Sequence, residues 1–272
     1  QGRSRTKHDG PPGTRGYLGG RAGQRPNCVA TAGMLRRAQT GGDEPAKMEG
    51  KRMPIKRLTS GFLDFKEKSY EAKKDFFLKL AERQQPRIMM IACSDSRVDP
   101  AILTNTEPGE VFVVRNVANL VPPCHQDDAQ HGTSAALEFA VTALEVEHII
   151  VFGHRGCGGI KSLLTADPNL GAQNAFIHNW MNIADEAKRR TLIIARSQPL
   201  DVQLKILEQE AIKTSLANLL SFPWIRERVD SNTLRLHGWH YDLYDGNMYV
   251  YVPENDRYEP LTLELASRLQ DS

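Results

Sequence analysis

Three short apolar runs stand out along the chain: Ile88–Ala92, Val111–Val114 and Ile149–Phe152. Each is four or five residues long and continuous rather than alternating, the pattern of strands covered on both faces. Between the second and third, Ala136, Phe139, Ala140, Ala143 and Leu144 recur at helical spacing and predict a helix with one apolar face. Ahead of the first run, Phe62, Phe65, Phe76, Phe77 and Leu80 do the same within a Lys/Glu-rich stretch. They predict a long amphipathic N-terminal helix that ends at Gln85-Pro86, because a residue before proline is pushed out of the α region. Glycine-rich residues 153–159 lead from the third run into a further helical start, Ile160–Leu164. Strand, helix, strand with glycines at the turns predicts an α/β fold, a mainly parallel sheet flanked by helices.

The C-terminal third reads as two helices, over about 174–195 and 201–221. Ile212, Leu216, Leu219 and Leu220 form a stripe on the second, and Pro223 is expected to stop it. Leu234–Asp242 and Asn247–Val252 then flank Tyr244-Asp245-Gly246, a hairpin signal. The chain has no internal repeat.

Composition narrows the class without naming a chemistry. With 272 residues, 40% apolar and 25% charged, the chain is long enough to bury a substantial core. No apolar stretch is long enough to span a membrane. Its 35 basic and 33 acidic residues leave a charge of +2, which gives no reason to expect nucleic acid or an anionic membrane as partner. That charge is unevenly spread: residues 1–52 carry +7 and the remainder −5. The first 52 residues also hold 11 of the 21 glycines and a single aromatic, Tyr17. Such a segment buries too little apolar surface to offset its ordering entropy, so it reads as a disordered basic tail. A targeting segment, or sequence ahead of a natural start near Met53, are the alternatives. The expected division is 1–52 as tail and 53–272 as the folded domain. Four cysteines are too few for a disulfide framework, which points to reduced thiols and a cytoplasmic setting, or to a plastid or mitochondrion if the tail is a transit peptide.

Chemistry gathers at two strand ends. Cys93-Ser94-Asp95-Ser96-Arg97 follows the first buried run, and His154-Arg155-Gly156-Cys157 follows the third. In open parallel sheets ligands bind at the carboxyl ends of strands, so the two segments should meet on one edge. Two thiols and an imidazole with a fourth position open suit a catalytic zinc. Taken singly, each Cys could be a small buried apolar residue, and Asp95–Arg97 a plain surface ion pair. A phosphate loop over Gly153–Ser162 fails by one residue, since Ile160 separates Gly159 from Lys161. Cys28 and Cys124 lack a strand-end context.

Ala92-Cys93-Ser94-Asp95-Ser96-Arg97, Pro108-Gly109-Glu110, Arg115-Asn116-Val117-Ala118-Asn119 and Gly153-His154-Arg155-Gly156-Cys157-Gly158-Gly159 resemble the β-class carbonic anhydrases, in the plant and bacterial branch. The order and spacing match across 57–165, and Leu236–Trp239 to Tyr251 looks like the family's late strand pair. The resemblance implies a β-carbonic-anhydrase-like fold with a long N-terminal helical arm. It implies one Zn²⁺ per subunit, and reversible hydration of CO2 to bicarbonate and a proton through a zinc-bound hydroxide. Cys93, His154 and Cys157 match the metal ligands, and Asp95 and Arg97 the carboxylate–guanidinium pair beside them. Gln84, Phe112, Val117 and Phe139 fall where the family lines its CO2 pocket, partly across a dimer interface, and the Gly158 amide where an anion donor is expected. A homodimer or higher homo-oligomer is implied.

Two departures matter. Phe139 stands where plant members commonly have tyrosine, and Met90 where members with an inhibitory bicarbonate site have tryptophan. The expectation is therefore no such site, with Asp95 off the metal at neutral pH. Other small linear substrates such as CS2 or COS, or a non-catalytic zinc-stabilised scaffold, are the competing readings.

Overall fold

In the computed structural model residues 55–127, 129–165 and 175–271 are described. The basic segment 1–52, Met53 and Cys28 lie outside them, as does the expected helix start at 174. Two helices open the described chain, α1 (Ile55–Phe65) and α2 (Lys74–Glu82). The single long helix expected here is interrupted: a π-turn at Lys66–Tyr70 and a turn at 71–73 separate its halves. The phenylalanine pattern survives the break, because Phe77 packs edge-on to both Phe65 and Phe76 and stacks on Tyr70.

The three apolar runs become β1 (Ile88–Cys93), β2 (Val111–Asn116) and β3 (His148–His154). Asp99 caps α3 (Pro100–Thr104) between the first two, accepting from the amides of Ala101 and Ile102. Helix α4 (Gly132–Glu138) precedes β3, and α5 (Gly158–Thr165), α6 (Ala175–Met181), α7 (Asp185–Ala195) and α8 (Leu200–Leu219) follow it. Pro223 does more than end α8: it occupies the first turn of another helix, α9 (Pro223–Asp230), where its missing amide costs nothing. Then come β4 (Arg235–Tyr241), β5 (Met248–Val252), β6 (Arg257–Pro260) and α10 (Leu263–Asp271). The expected hairpin joins β4 to β5, with Gly246 at a φ of +74°. Neither β6 nor α10 is anticipated by the hydrophobic pattern.

The sheet order is β2-β1-β3-β4-β5-β6. The β1–β2, β1–β3 and β3–β4 pairs are parallel, and the last two pairs antiparallel. Strands β1 and β3 are buried on both faces, as their continuous apolar runs require. Strand β2 is not. It lies on the edge, and Val113 on its outer face is exposed.

Successive side chains of β1 serve different cores. Met89 and Ile91 join Leu137, Val141, Ile149, Val151 and Ile212 on one face, and Met90 and Ala92 join Ile150 and Phe152 on the other. A third cluster lies under the strand ends, where Cys93, Ala118, Leu120, Cys157 and Ile160 pack on Ala187, Leu207 and Ala211. In α4 the expected apolar face is shifted. A π-turn over Phe139–Ala143, closed by the Leu144 amide on the Phe139 oxygen, rotates the register. Leu137, Ala140 and Val141 are buried, while Phe139 is 46% exposed and Ala143 is exposed.

Candidate metal centre

Cys93 ends β1 and His154 ends β3, so the parallel pairing brings both to one edge of the sheet. Cys157 follows three residues later, through a turn in which Gly156 takes a φ of +75°, a conformation open to glycine at little cost. Gly153, just before the histidine, is required for another reason. A Cβ there would stand 2.7 Å from Cδ1 of Ile212, so α8 could not pack as closely on β3.

Cys93, His154 and Cys157 are all buried, with their ligand atoms within 4.8 Å of one another. The two sulfurs are 3.9 Å apart. Two zinc–sulfur bonds of about 2.3 Å meeting at the tetrahedral angle would place them about 3.8 Å apart. Nδ1 of His154 donates to the Arg155 main-chain oxygen at 3.0 Å, which leaves Nε2 to face the sulfurs. That Nε2 is buried and has no hydrogen-bond partner. Paired thiols and an orphaned imidazole nitrogen are the donor set of a zinc site, and the residues fit the ion.

The charges agree. A hydrogen bond from Cys157 draws the Cys93 thiol down to about 4 against the effect of burial, helped by His154. Donating that bond, and being buried, pushes Cys157 up. Burial opposes a charge on His154, but the Cys93 sulfur outweighs it and its pKa is raised. The three groups thus share protons where a cation would otherwise sit, and zinc binding would release them.

Asp95 and Arg97 flank the triad. Arg97 donates to Oδ1 of Asp95 from its amide at 3.0 Å and from Nε at 2.9 Å, and to Oδ2 from a terminal nitrogen at 2.7 Å. The guanidinium holds the carboxyl well below the usual carboxylate range, although partial burial works the other way. Oδ2 of Asp95 also lies 3.9 Å from Nε2 of His154, so the carboxylate borders the space between the three ligand atoms.

The pocket residues inferred from sequence are more dispersed. Val117, 38% exposed, packs over the first turn of α5: a Cβ on Gly159 would meet it at 2.9 Å. Trp180 pins the Val117 carbonyl with a 2.7 Å bond from its indole. Gly158 opens α5, with nothing within 4 Å of where its Cβ would be. Gln84 is exposed between α2 and β1. Phe112 and Phe139 pair with ring centroids 5.9 Å apart. Phe112 lies four residues before Asn116, the register partner of Cys93, hence about 13 Å down the strand from the triad. These two rings do not reach the triad of their own chain.

Three further residues shape the site: Arg115 and Asn116, named above only as part of a motif and given no role, and Glu208, which the sequence did not single out. Arg115 binds the 93–99 loop, donating to the oxygens of Cys93 (2.9 Å), Asp95 (2.7 Å) and Val98 (2.8 Å), and pairing with Asp99. Asn116 closes the next turn through its side-chain amide, whose Nδ2 donates to the Leu120 oxygen and whose Oδ1 accepts from the Leu120 N–H. Glu208, from α8, is buried and accepts from the amides of Gly156 and Cys157 at 2.8 and 3.2 Å. A signal for Glu208 was present, because it lies one helical turn before Ile212 on the apolar stripe, where a carboxylate needs a reason to be.

Comparison with known proteins gives a family. Residues 88–248 match the family model described as carbonic anhydrase. The chain is 41% identical over 212 residues to beta carbonic anhydrase 3 of Arabidopsis thaliana, covering 77% of this chain and 81% of that one. Among solved structures, the β-carbonic anhydrase CcaA aligns with a TM-score of 0.72 at 34% identity, over 76% of this chain and 92% of that chain. One of two tetrameric β-carbonic anhydrases of Sordaria macrospora aligns with a TM-score of 0.64 at 27% identity, over 72% and 95%.

Proposed function

The chain belongs to the β-class carbonic anhydrases, and on that premise we propose which of its residues carry the zinc-dependent, reversible hydration of CO2 to bicarbonate and a proton. The observation that carries the assignment is the partnerless Nε2 of His154 facing two sulfurs at a zinc-compatible separation. Cys93, His154 and Cys157 would hold the zinc, which would supply Lewis acidity and lower the pKa of water toward the value of about 7 already known for the three-histidine carbonic anhydrases. The thiolates of Cys93 and Cys157 offset the charge of the ion inside a buried site. Asp95, kept ionised by Arg97, accepts a hydrogen bond from the attacking water and so orients its lone pair toward CO2. Arg97 also holds that carboxylate aside, so that Asp95 would not itself take up the ion. The amide of Gly158 donates to the anionic product.

CO2 carries no charge to steer, so its pocket is apolar: Val117 from the same chain, Phe112 and Phe139 from the partner subunit, with Gln84 donating to one oxygen. The placement of Phe112, about 13 Å down β2 from its own triad, with Phe139 paired against it, supports this division between subunits. It requires a homodimer or a larger homo-oligomer. Leu58, Phe62 and Leu63 of α1, each more than half exposed, support an arm that another subunit covers, and the Sordaria relative is tetrameric. The cysteine ligands require a compartment that keeps thiols reduced. The cytoplasm meets that need, and an organelle would if residues 1–52 act as a transit segment.

Stopped-flow CO2 hydration across pH, with zinc measured on the same sample, tests the reading. One zinc per subunit and a rate rising through a pKa between about 7 and 9 are expected. A zinc-loaded protein that turns over CS2 but not CO2 would change the substrate. One that turns over neither would leave only a scaffold.

A further inference from the structure

We infer that Glu208 is a positioning residue for the Asp95–Arg97 pair, acting from α8 through the single peptide group that joins Gly156 to Cys157. The inference rests on the roles given above to Asp95 and Arg97. A peptide group is planar, with its N–H and C=O pointing in opposite directions. On one side Oε1 of Glu208 accepts the Cys157 N–H at 3.2 Å, and the neighbouring Gly156 N–H at 2.8 Å. On the other side the Gly156 oxygen accepts from Arg97 at 2.9 Å. The nitrogen of Arg97 that makes this bond also donates to Oδ2 of Asp95. A buried carboxylate and an exposed guanidinium therefore grip opposite ends of one peptide plane.

That plane has little else to hold it. Gly156 is in the left-handed region, and only the Tyr244 hydroxyl, at 4.0 Å, comes near where a Cβ would stand, so its own sterics do little to fix the turn. Glu208, by contrast, is fixed. Its side chain is 2% exposed, His240 contacts Oε2 from Nε2 at 3.2 Å, and Arg155 lies 3.8 Å away. Removing the carboxylate frees the plane to turn, and Arg97 loses the contact that aims it at Asp95.

The test is a double-mutant cycle on the zinc-loaded enzyme, with Glu208→Ala and Arg97→Ala, read by kcat, zinc content and hydrogen exchange of the Arg97 Nε–H in ¹⁵N-arginine-labelled protein. Glu208→Ala should keep zinc, lose about 10–100-fold in kcat, and lose protection at Arg97 Nε–H. In the Arg97→Ala background the same substitution should cost less than about 2-fold, because the route is already cut. Glu208→Gln keeps the Oε1 acceptor and should restore both rate and protection. Glu208→Asp, which withdraws the carboxylate by about one bond length, serves the same cycle if the alanine variant does not fold. Equal losses in both backgrounds, unchanged protection at Arg97, or loss of zinc or of the fold in both variants would overturn the inference. Arg97→Ala with a wild-type rate would instead overturn the reading of the Asp95–Arg97 pair itself.

Discussion

Arg115, on the edge strand β2, donates from Nε to the main-chain oxygen of Cys93 at 2.9 Å. The edge strand thus holds the backbone of a candidate metal ligand at the end of its neighbour. The same guanidinium bonds two more carbonyls in the loop that carries Asp95, and the carboxylate of Asp99 that caps α3. One planar fork fixes the loop at several points, which a lysine cannot do.

Arg115→Lys is therefore expected to loosen the loop while keeping the charge. Zinc affinity should fall by about 10–100-fold, with the fold retained. Competition against a chelator, followed by zinc analysis, measures it. Unchanged affinity would show that the loop holds itself.

Cys157→Ser should lose zinc and activity together, since it removes one of the two thiolates. Its effect should exceed that of any supporting residue, with kcat/KM down by more than about 100-fold. Metal analysis beside stopped-flow assays decides this, and full zinc with full rate would remove Cys157 from the ligand set.

Asp95→Asn should keep zinc and lose about 100-fold or more in kcat, because an amide cannot accept a proton or orient water as a carboxylate does. In wild-type crystals grown at neutral pH, Asp95 should remain paired with Arg97. Asp95 found on the metal under those conditions would contradict the role given to Arg97.

The imidazoles of His148 and His237 meet at 3.1 Å on the opposite edge of the sheet, at the starts of β3 and β4. Burial, then the charges of His148 and Arg235, push His237 down from 6.5 to about 4. The unfolded chain takes up a proton below pH 6.5 that the folded protein refuses until about pH 4. Stability should fall as pH drops through that window, by about 3 kcal/mol for this group. In His237→Gln, which does not titrate, urea midpoints at pH 7 and pH 4.5 should lie closer together than in the wild type. An equal fall in both proteins would place the loss elsewhere.

The first five strands and the triad were legible in the sequence because their signals are local. In β1 and β3 a continuous apolar run marks a strand buried on both faces, and Cys93 and His154 follow those runs directly, so parallel pairing alone brings them together. The hairpin was legible for the same reason, as glycine at a positive φ leaves its mark at the position that needs it. Misreadings arose where one local signal allows two outcomes. Pro223 ends one helix and begins another, and an apolar pattern in α4 does not reveal the π-turn that turns Phe139 outward.

What the sequence determined by itself is the class of fold and the donor set, Cys93, His154 and Cys157 with Asp95 and Arg97 beside them. Only the tertiary structure decided which residues hold that set in place. Arg115 lies 22 residues from the carbonyl of Cys93, and Glu208 lies 51 from the amide of Cys157. No local period links positions so far apart, and a motif that contains Arg115 does not say what its side chain binds. Their pairing exists because a buried polar backbone group must find a partner, and only the folded packing of β2 and α8 determines which side chain is within reach.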